Sequence, residues 1–367
     1  MEQTKSENTQ QEISEKKKPT KKKKVIKILL KIFIPIIAIA VILAIALQIA
    51  GFGPLYGLYE PKSNSSKYTD ELESYGVWDN TIENQIPQTV VHKLVMDHFN
   101  SPLPEGKKVK KVIFLGFDGY RADAIANIKD DPQSAIMYVK SLGGLYHAYA
   151  GGVPGESEQH TSTAPGWASM LTGGWSLFHG ISNNGQYKNG NETFLTTLAK
   201  QGHYASFTAS WREHTSLSYR PDIVQSIKQN IPVEYNHEID DMATYYQVLK
   251  YVSKSEGQKK TQQEDPDVIF FTFEFTDHNG HLYGFGNNDN YKQGSIDANY
   301  YGYDIIKTIE ARDTYDQEDW LILISTDHGG TGHVHGNQTI MERSTWIAVN
   351  KKIDITDEYL NYGSSKQ

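Results

Sequence analysis

Cysteine is absent from all 367 residues. That one absence excludes disulfides, thiolate metal sites and a cysteine nucleophile together. Any metal ion must therefore be held by His, Asp or Glu, and the lack of disulfides is compatible with an exported protein that needs no oxidative folding. Basic charge is scarce outside the N-terminus. The formal charge is -8, yet residues 1–31 carry ten Lys and four Glu, a local +6, so the remainder stands at -14. An acidic body excludes nucleic-acid binding through a basic surface. Long apolar runs are also missing, with one exception: residues 32–50 hold 19 residues without a charge.

The exception divides the chain. Residues 1–24 are polar, Lys-rich and too poor in apolar residues to fold alone, which reads as a disordered basic tail. Residues 25–50 read as one transmembrane helix, since 19 apolar residues at a rise of about 1.5 Å cross about 30 Å of hydrocarbon. Ala44-Ile45-Ala46 leaves a cleaved signal peptide as the alternative. With its Lys on the N-terminal side, the helix is expected to be a single-pass cell-membrane anchor, tail in the cytoplasm and body outside. Residues 51–107 read as a linker and lead-in, with a Ser/Asn-rich linker at residues 62–67 and a short helix over Thr89 to Asn100.

From residue 108 to 367 the pattern alternates. Apolar runs predict strands near residues 110–117, 203–210, 267–276, 320–326 and 344–349. Helices are expected near residues 132–142, 193–201, 242–253 and 296–311. This is an α/β chain with a mostly parallel central sheet and helices on both faces. Ligands of such sheets bind beyond the carboxyl ends of the strands.

Three of those ends carry acids or histidines. Asp118 follows VIFLGF, Asp277 and His281 follow VIFFTFEFT, and Asp327-His328 follows ILIST; His335 lies in the Gly-rich loop beyond. One Asp after a strand is an ordinary turn former. Three such ends, two with His within four residues, suit a pair of borderline cations bound by carboxylate oxygen and imidazole nitrogen. Two cations can hold the attacking and leaving oxygens of a phosphoryl displacement and ionise a hydroxyl. Thr163, before Ala164-Pro165-Gly166 and a helical run from Trp167 to Leu171, places a hydroxyl at a helix N-terminus. Capping that helix is its plainer role.

The set Asp118-Gly119-Tyr120-Arg121, Thr163-Ala164-Pro165, Thr172-Gly173, His179-Gly180-Ile181, Asp277 to His281 with Gly284, Asp327-His328-Gly329 and His335-Gly336 resembles the alkaline phosphatase superfamily. Within it, the set is most similar to the type I phosphodiesterase and nucleotide pyrophosphatase branch. The resemblance implies one zinc on Asp277, His281 and His335, and a second on Asp118, Asp327 and His328 with Thr163 as nucleophile; manganese is the alternative metal. It places the phosphate-binding Asn at Asn184, next to the turn-forming Asn183. His335 is preferred to His333 because it precedes Gly336. Gly166-Trp167 departs from the branch, which has Asn-His there, and leaves the pocket wall open. Arg121 fits an ion pair better than a phosphate contact, and Tyr283 and Trp167 suit pocket or core alike.

The resemblance implies hydrolysis of phosphodiester or pyrophosphate bonds in a small phosphate ester: a nucleotide, a lipid head group or a glycan phosphate. A phosphoglycerol or phosphoethanolamine transferase using the same Thr is the alternative, and a phosphomonoesterase a third.

Overall fold

The computed structural model describes residues 21–49, 63–253 and 260–364. Most of the basic tail, residues 1–20, lies outside them, as do residues 50–62; residues 21–24, assigned above to the tail, belong to the first helix. That helix, α1 (Lys21–Ile49), contains a span, Ile28–Ala46, long and apolar enough to cross a membrane. It forms one compact unit and the rest of the chain another.

The second unit is built on one eight-stranded sheet. In chain order its elements are α2 (Ser63–Ser74), β1 (Ile86–Pro87), α3 (Val90–Asn100), β2 (Val109–Phe117), α4 (Ala135–Leu142) and β3 (Gly144–Tyr149). Then come α5 (Thr163–Thr172), α6 (Ser176–His179), α7 (Phe194–Lys200), β4 (Ala205–Ala209), α8 (Arg220–Gln229) and β5 (Val233–His237). The chain continues through α9 (Asp241–Val252), β6 (Val268–Phe273), α10 (Phe275–Tyr283), α11 (Asp289–Glu310), β7 (Glu318–Ser325) and β8 (Ser344–Val349).

The strand order is β1-β3-β8-β7-β2-β6-β4-β5. Only β8 runs against the others, pairing antiparallel with both β3 and β7. The α/β class and mostly parallel sheet are as expected.

Side-chain alternation on β2 shows why both faces are covered. Ile113, Leu115 and Phe117 join one buried cluster, with Ile136 and Val139 of α4 and Ile305 and Ile306 of α11. Val112 and Phe114 join the other, with Val95 of α3, Trp167 and Met170 of α5 and Leu198 of α7. Short polar caps start α4, α7 and α11: Ser134 accepts from Met137 N, Thr193 from Thr196 N and Asn288 from Tyr291 N.

Three local expectations change. The Ser/Asn-rich run read as a linker begins α2, whose Tyr68 and Leu72, four residues apart, enter the core. The strand expected to reach Thr276 stops at Phe273, and the chain turns directly into α10. The strands β3 and β5 occupy stretches that had no strand assigned. At the centre, β2 lies between β7 and β6, with Gly116 level with Ser325 and Phe117 level with Phe273. The residues after these three strands therefore emerge side by side.

Candidate active site

Asp118 follows β2 and Asp327 lies two residues beyond β7. Both are fully buried. Asp118 Oδ2 accepts from the Trp167 indole N–H at 2.9 Å, and Asp327 Oδ1 accepts from Gly119 N at 3.1 Å. The other oxygen of each, Asp118 Oδ1 and Asp327 Oδ2, has no hydrogen-bond partner. Those two free oxygens lie 3.6 and 3.2 Å from His328 Nε2.

Asp277 arrives on the first turn of α10, which explains its spacing to His281. The i, i+4 separation sets both on one helix face, and His281 Nε2 sits 3.3 Å from Asp277 Oδ2. Asp277 Oδ1 is unpartnered, and His335 Nε2 approaches it to 3.7 Å. Gly119, at φ +61°, makes room for this carboxylate: a Cβ there would stand 2.7 Å from Asp277 Oδ1.

The three histidines share one arrangement. The Nδ1 of His328 bonds Gly329 O at 2.7 Å, that of His335 bonds Thr161 O at 3.1 Å, and that of His281 bonds His333 O at 2.9 Å. A carbonyl only accepts, so each Nδ1 must carry a hydrogen and each neutral ring turns an Nε2 lone pair toward the carboxylates. His281 and His335 bring their Nε2 atoms to 3.2 Å of one another. Two lone pairs so close require a proton or a cation between them.

Electrostatics say the same. Burial, then the neighbouring Asp277 charge, pushes the Asp118 carboxyl well above the carboxylate range; burial and Asp118 do so for Asp327. Burial keeps His328 and His335 neutral. His281 is pushed up to about 9 by its hydrogen bond to Asp277. Burial opposes ionisation of Asp277, but the hydrogen bond from His281 and the charge on that ring hold its carboxyl below the usual range.

The donor set fits divalent cations. Ligand atoms of Asp277, His328 and His335 lie within 4.8 Å of one another, and so do those of Asp118, Asp327 and His328. Orphaned buried oxygens and inward lone pairs are what such ions satisfy.

Thr163 opens α5 one residue after the cap position, which Ser162 occupies without a side-chain capping bond. Thr163 Oγ1 lies 3.5 Å from His328 Nε2. Asn184 Oδ1 accepts from Ala164 N at 2.9 Å, which fixes its amide at the same helix start, whereas Asn183 closes a turn on Gly185 N. Both Thr163 and Asn184 line a cleft of about 660 Å³ together with Asp277, His281 and His335.

Other candidates take scaffold positions. His333 bonds the His281 carbonyl and His179 packs on Ser169. Arg121 pairs with Asp123 at 2.7 Å, and Trp167 is fully buried, whereas Tyr283 stays half exposed.

Sequence reasoning missed Glu274. It follows β6 at the level of Asp118, lines the cleft, and has a ligand atom within 4.8 Å of Asp118 and Asp277. Burial, then the Asp118 charge, raises its carboxyl. No sequence signal marked it, because only the parallel register sets the residues after β2 and β6 side by side. Trp211, Asp240 and Asp241 also line the cleft.

The family model for type I phosphodiesterase / nucleotide pyrophosphatase matches residues 112–364. No curated protein matches the chain. Among solved structures, human ectonucleotide pyrophosphatase / phosphodiesterase 5 is 18% identical over 60% of this chain and 57% of its own, with a TM-score of 0.42. The inactive murine protein in complex with AMP is 16% identical over 60% and 57%, with a TM-score of 0.41. Phosphonate monoester hydrolase of Agrobacterium radiobacter is 11% identical over 66% and 70%, with a TM-score of 0.38. The chain thus spans 57% of the length of the human and murine proteins.

Proposed function

The chain belongs to the type I phosphodiesterase / nucleotide pyrophosphatase family of metal-dependent phosphoric ester hydrolases, and from that premise we propose that it hydrolyses phosphodiester or pyrophosphate bonds with two zinc ions and Thr163 as nucleophile. The observation that carries this reading is the ring of unpartnered buried carboxylate oxygens facing three inward Nε2 atoms beside the Thr163 hydroxyl.

Asp277, His281 and His335 would hold one ion, and Asp118, Asp327 and His328 the other. When bound, the pair supplies positive charge that lowers the hydroxyl pKa and neutralises the phosphoryl oxygens. Thr163 Oγ attacks phosphorus, the bond to the leaving oxygen breaks on the opposite side, and water later releases the phosphoryl group from Thr163. Asn184, fixed through its carbonyl oxygen by Ala164 N, turns its NH2 to a phosphoryl oxygen.

Cleft composition favours a diester with an uncharged leaving group. Its described lining includes Asp240, Asp241 and Glu274 but no Lys or Arg, so a polyphosphate tail would meet carboxylates. The apolar span Ile28–Ala46 supports a membrane anchor with the catalytic unit outside the cell, and it also supports the second reading, transfer of the phosphoryl group to an acceptor alcohol.

The test uses the full chain in detergent with a panel of phosphodiesters, a nucleoside triphosphate and monoesters. We expect diester cleavage that chelator abolishes and zinc restores. Thr163→Ala should lose roughly 10⁴-fold or more in kcat while still binding zinc. Full activity in that variant refutes the nucleophile, and product alcohol esters formed from an added acceptor would establish transfer.

A further inference from the structure

We propose that Trp167 is a positioning residue that selects which oxygen of Asp118 faces the metal. The inference rests on the reading of Asp118 as a ligand and extends it to a residue outside the expected set.

Asp118 and Asp327 are held alike. Each has one oxygen pinned by an N–H donor and the other left free toward His328 Nε2. For Asp327 the pin is the Gly119 backbone N–H, which every residue but proline supplies. For Asp118 it is a side chain, the Trp167 indole. A neutral donor is well matched to Asp118, because it occupies one lone pair and fixes the rotation of the carboxylate without cancelling the charge that a cation needs. A Lys or Arg in its place would compete with the cation itself.

The neighbourhood is shaped around this indole. Val112, Phe114, Gly116 and Asp118 alternate toward the α5 face, and Trp167 lies across them, 5.9 Å from the Phe114 ring and 5.5 Å from Phe270. Gly116 is the gap that admits it. A Cβ at that position would stand 2.6 Å from Trp167 Cη2 and 3.0 Å from Cζ3. Gly166 completes the set: a Cβ there would stand 2.7 Å from Asp327 Cβ, so its absence lets the start of α5 close on the second acid. The pair Gly166-Trp167, where the chain departs from its branch, therefore serves the two acids in turn.

The experiment measures zinc affinity and stoichiometry on the full chain in detergent, by competition with a chromophoric chelator. Trp167→Phe keeps an aromatic ring against Phe114 and Phe270 but deletes the N–H, with loss of the indole's outer edge over Gly116. We expect one of the two zinc ions to bind about 10- to 100-fold more weakly and the other unchanged. Turnover should fall at limiting zinc and recover when zinc is raised, with KM unaltered. Gly116→Ala keeps the N–H but displaces the ring, and should weaken the same ion. If either variant melts like the parent and binds both ions as tightly, the positioning role is overturned. A parent protein that binds no zinc would instead overturn the metal reading on which it rests.

Discussion

At the amino ends of β2, β6 and β7, Lys111 reaches Asp265 at 3.0 Å and Asp267 at 3.5 Å, Arg312 bonds Glu318 at 2.7 Å, and Lys351 bonds Asp319 at 2.7 Å. At the carboxyl ends of the same strands, Asp118, Glu274, Asp277 and Asp327 crowd together, and among the described residues no Lys or Arg pairs with them. One sheet thus balances its charges at one end and leaves them unbalanced at the other. A buried charge without a partner is costly, so the unbalanced end is stable only with protons or cations in place. Binding a cation offsets that cost, and the amino end has none to offset.

The largest effect should follow from touching the unbalanced end. Asp327→Asn keeps the bond from Gly119 N but loses a charge. We expect kcat/KM to fall more than about 100-fold, beyond what loss of an outer partner alone produces, with one zinc fewer per chain. The metal-free variant should melt no lower than the metal-free parent at pH 7, because the substitution removes a repelled carboxylate. A lower melting temperature would mean that Asp327 is structurally paired, and the contrast between the two ends would fail.

At the balanced end the outcome reverses. Glu318 is 3% exposed and accepts from Arg312, Trp320 Nε1 and Thr314 Oγ1. Despite burial, these bonds hold its carboxyl below the usual range. Glu318→Gln leaves Asp265, at 2.9 Å, as the charged partner of Arg312 and should cost about 3 kcal/mol in a denaturant melt, with kcat per folded molecule unchanged. A kcat loss larger than twofold would show that the two ends are coupled through β7.

How far these ends were legible differs by residue. Asp118 and Asp327 stand directly after apolar runs, and Thr163 sits before a helix, so sequence order alone exposed them. The match of the family model to residues 112–364 agrees with the family that those motifs indicated. Glu274 was hidden because its neighbourhood is set by the parallel pairing of β2 with β6, a contact between residues far apart in the chain. The start of α10 was misread because FEFT alternates like a strand, and only the packed structure turns it into a helix; there Gly280 leaves room for the Phe285 ring, 2.4 Å from where a Cβ would sit. Strand β5 is half exposed and polar, held by its register on β4 rather than by its composition. Trp167 could be seen as a departure, but its bond to Asp118 depends on Gly116, and that requires coordinates.

The smallest effect distinguishes histidines of the two kinds. His281, held by Asp277, is pushed up to about 9, whereas His214, fully buried among Phe207, Trp211 and Tyr219 with no acid beside it, is pushed by burial down to about 3. For His214 the unfolded chain binds the proton more tightly than the folded one. Its contribution is therefore complete above the unfolded pKa of about 6.5 and is lost progressively as pH falls toward 3. At pH 5 the loss is about 2 kcal/mol. A His214→Phe variant cannot take up that proton, so its stability should fall less than the parent's between pH 7 and pH 5. Denaturant midpoints at the two pH values, with zinc held saturating so that the site histidines do not titrate, give the comparison. Equal slopes for parent and variant would mean that His214 reaches solvent, and that its buried place beside the cleft is open on the timescale of the melt.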